Sequence, residues 1–295
     1  MRGWSALGGP RLRGWRRLTL AAVVPVFTLV ALSGGTSARA AQHAAASCPA
    51  VPYVNGFDVN QFAGTITWSN VTCEDFVYAQ AVDGTFVDPT FSANRSGASS
   101  IKLPFGAIDY FQPNQDPAVQ ADKFLSVYAF RPGDLPPVLD LEITDGQSAS
   151  TILGEVSTWA STVKAALGVA PVIYTSPVFW VTTLGNPSAF TSNPLWIANW
   201  GVSSPTVPAS NWGGHGWTLW QYSGTGTVTG VLVPVALDYF SGSNVGMLRT
   251  PTSSSVSIVT YTPSPGVGEP IQVAVKVSGA LTAPGVPAPS GAVTV

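Results

Sequence analysis

The sequence predicts an α/β fold, a closed or nearly closed barrel of parallel strands surrounded by helices, and three observations support this class. Seven short apolar runs have the length of strands, at residues 76–81, 106–111, 137–143, 171–175, 195–198, 217–222 and 233–237. Helical patterns separate several of the earlier runs, and helices between apolar strands imply crossovers and a parallel sheet. Little helical pattern separates the later runs, so we expect the last third of the barrel to be irregular.

Residues 1–40 are predicted to be a signal peptide. They carry six Arg and no acidic residue, and they contain an apolar run over residues 18–32 and the small-residue pattern Ala38-Arg39-Ala40, which is typical of a cleavage site. The apolar run is short for a membrane span, and a retained N-terminal anchor is the alternative. We therefore expect a secreted protein, extracellular or in the cell wall, with no membrane span once the signal is removed.

The mature chain is predicted to be acidic, because it keeps seven of the 13 basic residues and all 15 acidic residues. Such a surface lacks the basic stripe that nucleic-acid backbones require, so nucleic acid is not an expected partner. The two histidines, His43 and His215, have no second ligand near them in the sequence, and no metal is expected. In an exported chain the two cysteines, Cys48 and Cys73, predict one disulfide that closes a loop of about 25 residues.

Two helices are predicted within the barrel domain, residues 41–249. An apolar face recurs at helical spacing over about residues 117–128, and a longer one over about residues 150–167 ends at Gly168, which provides a stop signal. The apolar residues of the longer face are Ile152, Val156, Trp159, Val163 and Leu167.

Residues 137–142 deliver two carboxylates to the end of an apolar strand. Asp140 and Glu142 are two residues apart, so on a strand both side chains point to the same face, about 6.6 Å apart along the axis. Such a pair suits glycoside hydrolysis, in which one carboxyl protonates the leaving oxygen and another carboxylate stabilises positive charge on the sugar. The alternative is a solvated acidic pair at a strand end.

The carboxyl ends of parallel barrel strands are where the chemistry of such a barrel lies. Here these ends are predicted to carry acids, amides and aromatic rings, which is the composition of a sugar-binding cleft. Besides Asp140 and Glu142, the candidate residues are Asp58, Tyr78, Gln80, Asp109, Tyr110, Tyr174, Trp196, Trp200, Trp220, Gln221 and Tyr222. Among the tryptophans we expect Trp200 to be exposed and Trp217 to be packed.

Several short motifs, taken in their order and spacing, resemble the family 25 glycoside hydrolases over about residues 53–243. The motifs include Gly56-Phe57-Asp58-Val59, Gly106-Ala107-Ile108-Asp109-Tyr110-Phe111, the run 137–142, Trp220-Gln221-Tyr222-Ser223 and Leu237-Asp238-Tyr239-Phe240. That family consists of lysozymes that cut between N-acetylmuramic acid and N-acetylglucosamine in bacterial peptidoglycan. The resemblance implies a flattened (β/α) barrel with three late antiparallel strands, no metal and no organic cofactor. Its implied partner is the glycan strand of peptidoglycan, and we expect a monomer.

The resemblance also implies roles for individual residues. Glu142 matches the general acid, Asp140 its partner on the same strand, and Asp58 the acid at the end of the first strand. Either the substrate's 2-acetamido group attacks the anomeric carbon while Asp140 stabilises the oxazolinium, or Asp140 attacks directly. Clustered acids raise one another's pKa, which lets Glu142 hold a proton near neutral pH. The residues expected to bind substrate are Tyr78, Gln80, Asp109, Tyr110, Tyr174, Trp196, Trp200, Gln221 and Asp238.

Three departures from the family pattern concern the same cleft. Members usually carry Asp two residues before the position of Asp238, where this chain has Ala236. Asp109 stands where a His or another residue is often found, and Gln80 stands where a basic residue is frequent. Either Asp238 turns into the cleft or the site works with three acids, and we hypothesise that Asp109 compensates. A wall-binding protein that has lost turnover is therefore the alternative function. A chitin-cleaving barrel is disfavoured, because the longer acidic run that such enzymes carry upstream is missing here.

The composition changes beyond residue 249. Residues 250–255 form a polar stretch typical of a linker, and residues 256–295 alternate as strands between Pro and Gly turns. They look like the opening of a bacterial immunoglobulin-like module. Because such a sandwich needs about 100 residues, we expect an incomplete all-β segment that packs poorly on its own.

Overall fold

The computed structural model describes Cys48, Ala50, residues 51–131 and 133–248, and two further strands at residues 254–260 and 273–279. The predicted signal peptide and its cleavage site lie outside the described residues. In the described part of the chain, no helix is both long and apolar enough to cross a membrane.

Eight strands of one sheet close into a barrel. Their order around the barrel is β1, β9, β8, β7, β6, β5, β4 and β2, and the pairing of β1 with β2 completes the circle. A short strand, β3, extends the sheet as a hairpin partner of β2. The strands are β1 Val54–Val59, β2 Phe76–Asp83, β3 Phe86–Val87, β4 Phe105–Tyr110, β5 Val138–Asp140, β6 Val172–Thr175, β7 Leu195–Ala198, β8 Leu219–Gly226 and β9 Val235–Phe240.

All barrel neighbours run parallel except for the two pairings of β9, which is antiparallel to both β8 and β1. The expectation of three late antiparallel strands is therefore wrong for the described barrel. The connection over residues 199–218 is long enough for a crossover, so β8 still runs parallel to β7. Among the connections between the eight described barrel strands, the short one over residues 227–234 reverses the chain, so that β9 runs antiparallel to β8.

Both predicted helices are confirmed, and their ends have identifiable causes. The helix α2, Pro117–Val127, begins at Asp116, whose side chain accepts from the backbone N–H groups of Ala118 and Val119. The helix α3, Ala149–Leu167, begins at Ser148 and ends at Gly168, which takes the left-handed conformation that favours glycine. An additional helix, α1, spans Phe91–Ser100.

The predicted irregularity of the last third is confirmed in the segments that connect the later strands. Between β6 and β7 the chain forms a π-helical turn, Phe179–Thr183. Between β7 and β8 lies the short turn α4, Pro208–Gly213, in which residues 209–212 have φ between 52° and 55°. Four consecutive non-glycine residues in the left-handed region form a strained turn, and the burial of Ala209 and Trp212 holds it in place.

Alternation along the strands divides the core into two layers. Side chains that point into the barrel form one apolar cluster, which includes Tyr78, Ile108, Val138 and Trp196. Side chains that point outward pack with the helices in a second, larger cluster. Because successive residues of a strand face opposite sides, this division decides which polar side chains can reach the mouth of the barrel.

The predicted disulfide between Cys48 and Cys73 is confirmed, and it joins residues 25 positions apart. It ties the segment before β1 to the segment that enters β2. Since β1 carries Asp58, the cross-link restrains the chain on the side from which this strand enters the barrel.

The C-terminal region contains two described strands, β10 Ser254–Thr260 and β11 Val273–Gly279, which pair antiparallel. Ser254 and Ser255, predicted to belong to the linker, instead begin β10. The third predicted strand, residues 292–295, lies outside the described residues. The described residues of this region thus contain one antiparallel pair of strands, and the immunoglobulin-like module stays a prediction.

Candidate active site

A cavity of about 290 Å³ opens at the carboxyl ends of the parallel strands. The three carboxyl groups expected to be catalytic, those of Asp58, Asp140 and Glu142, all line it. The remaining lining residues are Val59, Asn60, Gln61, Phe62, Gln80, Asp83, Ile108, Tyr110, Tyr174, Trp196 and Gln221. All seven parallel strands of the barrel therefore contribute residues to one space.

Asp58 lies at the end of β1, where its carboxylate accepts a hydrogen bond of 2.7 Å from Nε2 of Gln221. Burial raises the pKa of Asp58 to about 6, and the negative charge of Glu142 adds to that rise. The hydrogen bonds that its carboxylate accepts from Gln221 and from Asp238 oppose that rise. The pKa therefore results from desolvation that is only partly offset by hydrogen bonding.

Gln221 organises the polar side of the cleft. Its Oε1 accepts hydrogen bonds of 3.0 Å from the hydroxyl of Tyr174 and 3.0 Å from Nε1 of Trp200. With both lone pairs of Oε1 occupied, the amide orientation is fixed, and Nε2 must point towards Asp58. One side chain thereby links three strands and a loop in a defined geometry.

Asp140 is the last residue of β5, and Glu142 lies two residues beyond it. Both side chains line the same cavity, as their i and i+2 spacing predicts. Burial and the neighbouring charges of Glu142 and Asp58 raise the pKa of Asp140 well above its usual range. Burial also raises the pKa of Glu142, although the hydroxyl of Tyr110 hydrogen-bonds to its carboxylate and opposes that rise. Both carboxyls therefore resist ionisation, and Glu142 is the more exposed of the two.

A second cavity, of about 640 Å³, begins on the other side of Glu142 and Tyr174. Its wall is more apolar and includes Val178, Val181 and Trp200. Trp200 is 57% exposed, as expected for a ring that can cover a sugar face. Since Glu142 borders both cavities, they form two arms of one cleft that meet at this carboxyl.

Two residues expected to bind substrate lie elsewhere, and these expectations are corrected. Tyr78 points into the barrel but is fully buried one layer below the mouth, with its ring 4.9 Å from that of Trp196. Asp109 points outward from β4, where Nε1 of Trp159 on α3 donates to it at 2.7 Å. Its neighbours Ile108 and Tyr110 line the cavity, so alternation along the strand excludes Asp109 from it.

Asp238 also lies outside the cavity lining. It is fully buried beneath Asp58, and its carboxylate accepts a hydrogen bond of 3.0 Å from Nε1 of Trp196. The position next to Asp58 across the β1–β9 pair is occupied by Ala236. Asp238 therefore contacts Asp58 from below and does not face the substrate space.

The remaining candidates divide between the two sides of the barrel wall. Gln80, Tyr110, Tyr174, Trp196 and Gln221 line the first cavity, and Trp200 lines the second. Trp220 and Tyr222 alternate with Gln221 and face outward, where they pack with Tyr239. Trp217 is half-buried and packs edge-on against Tyr53, as expected.

Sequence reasoning missed Asp83 and the loop of Asn60, Gln61 and Phe62, which border the same cavity. The carboxylate of Asp83 accepts a hydrogen bond from Nε2 of Gln112. Strict alternation from Gln80 would turn Asp83 to the outer face, but an irregularity in β2 between Gln80 and Val82 shifts the register. Such a bulge reorients the side chains that follow it, and the local sequence contains no signal that predicts the bulge.

The described residues contain no group of three or more His, Cys, Asp or Glu side chains arranged to hold a metal ion. The chemistry that the cleft itself offers is proton transfer and electrostatic stabilisation by carboxyls of raised pKa. Such perturbed acids in a cleft are typical of general acid–base sites.

We expect Asp109→Asn to leave turnover and its pH profile unchanged, and that result would contradict the hypothesis that Asp109 compensates for Ala236. The carboxyl is buried behind the barrel wall, where burial raises its pKa well above the usual range, and it contacts Trp159. The amide keeps an acceptor for that indole N–H. The measurement is kcat/KM between about pH 4 and 8. A shift in the acid limb of this pH profile would show that Asp109 contributes to catalysis.

A closed barrel with several carboxyls at the carboxyl ends of its strands is the framework of a barrel glycosidase. The comparisons with known proteins agree with this class. The model of the glycosyl hydrolases family 25 matches residues 57–231, and the chain belongs to that family. It is therefore a glycoside hydrolase.

Individual relatives support the same assignment. Lysozyme M1 of Streptomyces globisporus is 36% identical over 209 residues, which cover 66% of this chain and 70% of that protein. An N,O-diacetylmuramidase of Arthroderma benhamiae is 30% identical over 211 residues, covering 67% of this chain and 88% of that protein. The crystal structure of a bacterial lysozyme from Streptomyces coelicolor has a TM-score of 0.62 and 35% identity, and the match covers 66% of this chain and 95% of that one.

Proposed function

We propose that this protein is a secreted muramidase, which hydrolyses the β-1,4 bond between N-acetylmuramic acid and N-acetylglucosamine in peptidoglycan. The observation that carries the proposal is the convergence of Asp58, Asp140 and Glu142 on one cavity at the mouth of the barrel. The names of its relatives, a lysozyme and a diacetylmuramidase, support this choice of substrate. The cleft extends to both sides of Glu142. It can therefore hold sugar units of a polymer on both sides of the scissile bond.

Glu142 is the proposed general acid. Its raised pKa keeps a fraction of the carboxyl protonated near neutral pH, and its exposure allows it to reach the leaving glycosidic oxygen. After bond cleavage the resulting carboxylate accepts a proton from the attacking water. The hydroxyl of Tyr110 hydrogen-bonds to the carboxylate form, so it stabilises Glu142 in this second step.

Asp140 is proposed to stabilise the positive charge that develops on the sugar, while Gln221 orients Asp58 as a further source of negative field. In a substrate-assisted route the 2-acetamido oxygen attacks the anomeric carbon, and Asp140 holds the oxazolinium N–H. In the other route Asp140 itself forms the covalent bond. Product stereochemistry with trapping separates the two, because a covalent sugar adduct on Asp140 excludes the substrate-assisted route.

The proposed division of the chain assigns residues 1–40 to a signal peptide and residues 41–249 to the catalytic barrel. Residues 250–255 would form a linker, shortened at its end by the start of β10. The remaining residues would begin an immunoglobulin-like spacer. Peptidoglycan glycan strands are the proposed partner, and a monomer is the proposed state.

Mass analysis of fragments from digested bacterial walls tests the proposal. A muramidase leaves N-acetylmuramic acid at the new reducing end, so reduction with borohydride should label muramic acid and not glucosamine. Label on glucosamine would assign the opposite bond and overturn the proposal. Wall binding without any new reducing end would favour the alternative of a wall-binding protein, for which the replacement of an expected Asp by Ala236 is the motivating observation.

A further inference from the structure

A second carboxyl lies directly beneath Asp58 in the barrel. Asp238 on β9 is paired with Gly56, one inward-facing position below Asp58, and it is fully buried. Its Oδ1 accepts the indole N–H of Trp196 at 3.0 Å. Asp58 and Asp238 are 180 residues apart in the sequence, and only the antiparallel pairing of β9 with β1 brings them together.

The other oxygen of Asp238 has an unusual environment. Its Oδ2 is buried and receives no hydrogen bond from an N–H group or a hydroxyl of the described residues. The carboxyl of Asp58 hydrogen-bonds with that of Asp238. The hydroxyl of Tyr78, which is also buried without a hydrogen-bond partner among the described residues, interacts with Asp238 electrostatically. Two ionised carboxylates are acceptors only and repel one another, so a hydrogen bond between them requires that one of them keeps a proton.

The surroundings of the two carboxyls differ in a way that assigns this proton. Asp58 borders the open cavity and accepts a 2.7 Å hydrogen bond from Gln221, which stabilises its charged form. Asp238 has no contact with the cavity, and its hydrogen-bond donor is one neutral indole. Burial raises the pKa of Asp238 well above the usual range, whereas that of Asp58 reaches about 6.

We propose that Asp238 is a positioning residue that keeps a proton in the working enzyme and donates it to Asp58, so that the pair carries a single negative charge located on Asp58. The inference deepens the proposed function, on which it rests, because it assigns the state of one proposed catalytic carboxyl. It also explains how Asp58 can operate opposite Ala236, since its orientation and charge are set from inside the barrel.

Other titratable groups influence the pKa values of Asp58 and Asp238. The substitutions of Asp238 described below leave these groups in place. They come from the strands and the segment packed around the two carboxyls. These groups are Asp140, Glu142, Tyr78, Tyr174, Tyr222 and Glu74.

Two substitutions at Asp238 test whether the residue acts as a hydrogen-bond donor to Asp58: one keeps a donor at this position, and the other removes it. In Asp238→Asn the amide Nδ2 can donate to Asp58 while Oδ1 still accepts from Trp196, so a residue that is already neutral is replaced by a permanently neutral one. We expect kcat/KM to stay within about threefold of the parent and the acid limb of its pH profile to stay in place. Asp238→Val removes the donor, and we expect a loss of about 10- to 100-fold with the acid limb displaced upward by about one pH unit.

Two results would overturn the inference. One is an Asp238→Asn variant that melts like the parent yet loses activity or shifts its acid limb, which would mean that Asp238 acts as an anion. The other is an Asp238→Val variant that folds and keeps the parental profile, which would mean that no proton passes between the two carboxyls.

A direct measurement does not depend on turnover. Carbon-13 NMR of the aspartate carboxyls should show a protonated-carboxyl signal at pH 7 that is present in the parent and lost in Asp238→Asn. This signal is distinct from those of Asp109 and Asp140, whose pKa values are also raised. Absence of that signal in an active enzyme would overturn the proton assignment and leave the muramidase proposal intact. If the signal is present but the parent releases no new reducing ends with N-acetylmuramic acid, the proton assignment is supported and the proposed function is overturned.

Discussion

Glu142→Gln is expected to lower kcat by roughly 10² to 10⁴, because general acid catalysis typically contributes a factor of that size. The amide has nearly the same shape as the carboxyl, but it cannot protonate the leaving oxygen. Glu142 borders both arms of the cleft, so no other carboxyl at this junction is equally exposed to the substrate. The measurement is the release of reducing ends from purified walls, followed together with the loss of turbidity.

The matched control is Glu155→Gln, which makes the same chemical change on α3 outside both cavities. This variant should clear walls at the parental rate. The Glu142→Gln variant should still sediment with intact walls, since the proposed substrate contacts from Gln80, Trp200 and Gln221 remain. Clearing by Glu142→Gln at more than about a tenth of the parental rate would assign the acid to another residue.

Asp140→Asn is expected to lower turnover by about 10²- to 10³-fold, because a preorganised group aimed at developing charge contributes that much in comparable sites. The same substitution should stabilise the fold near neutral pH. Burial and the charges of Glu142 and Asp58 hold the pKa of Asp140 above its value in the unfolded chain. Stability from this group is therefore fully present below the unfolded pKa, near 3.9, and is lost as the pH rises through the folded pKa.

The sign of that linkage makes the prediction specific. The melting temperature of Asp140→Asn should exceed that of the parent by about 2 °C or more at pH 7, and the difference should shrink towards pH 4. Asp122→Asn, on the exposed face of α2, is the matched control and should change neither activity nor melting temperature. A destabilised Asp140→Asn at pH 7 would mean that the Asp140 carboxylate is stabilised by interactions absent from this structure.

The elements that local pattern specifies were predictable. The helical spacing of residues 150–167 corresponds to α3, with Ser148 and Gly168 at its ends, and the apolar runs correspond to the barrel strands within a few residues. The paired spacing of Asp140 and Glu142 was sufficient to place both at one cavity. These features depend on residues that are near in sequence, so a short window contains the information that fixes them.

Asp83 and Asp109 illustrate what local pattern could not decide. Both are acids near the ends of barrel strands, yet the bulge in β2 turns Asp83 into the cleft, and regular alternation in β4 turns Asp109 away from it. The side that a strand residue faces depends on register and bulges. Register is set by pairing with a neighbour elsewhere in the chain.

The sequence by itself determined the α/β class, the disulfide between Cys48 and Cys73, and the acid pair of Asp140 and Glu142, because periodicity and short spacing encode each of them. Only the tertiary structure decided that β9 alone runs antiparallel in the described barrel and that Asp238 lies beneath Asp58. The physical reason is that barrel closure joins the first and last strands. The protonation state of a buried carboxyl depends on the neighbours that this closure supplies.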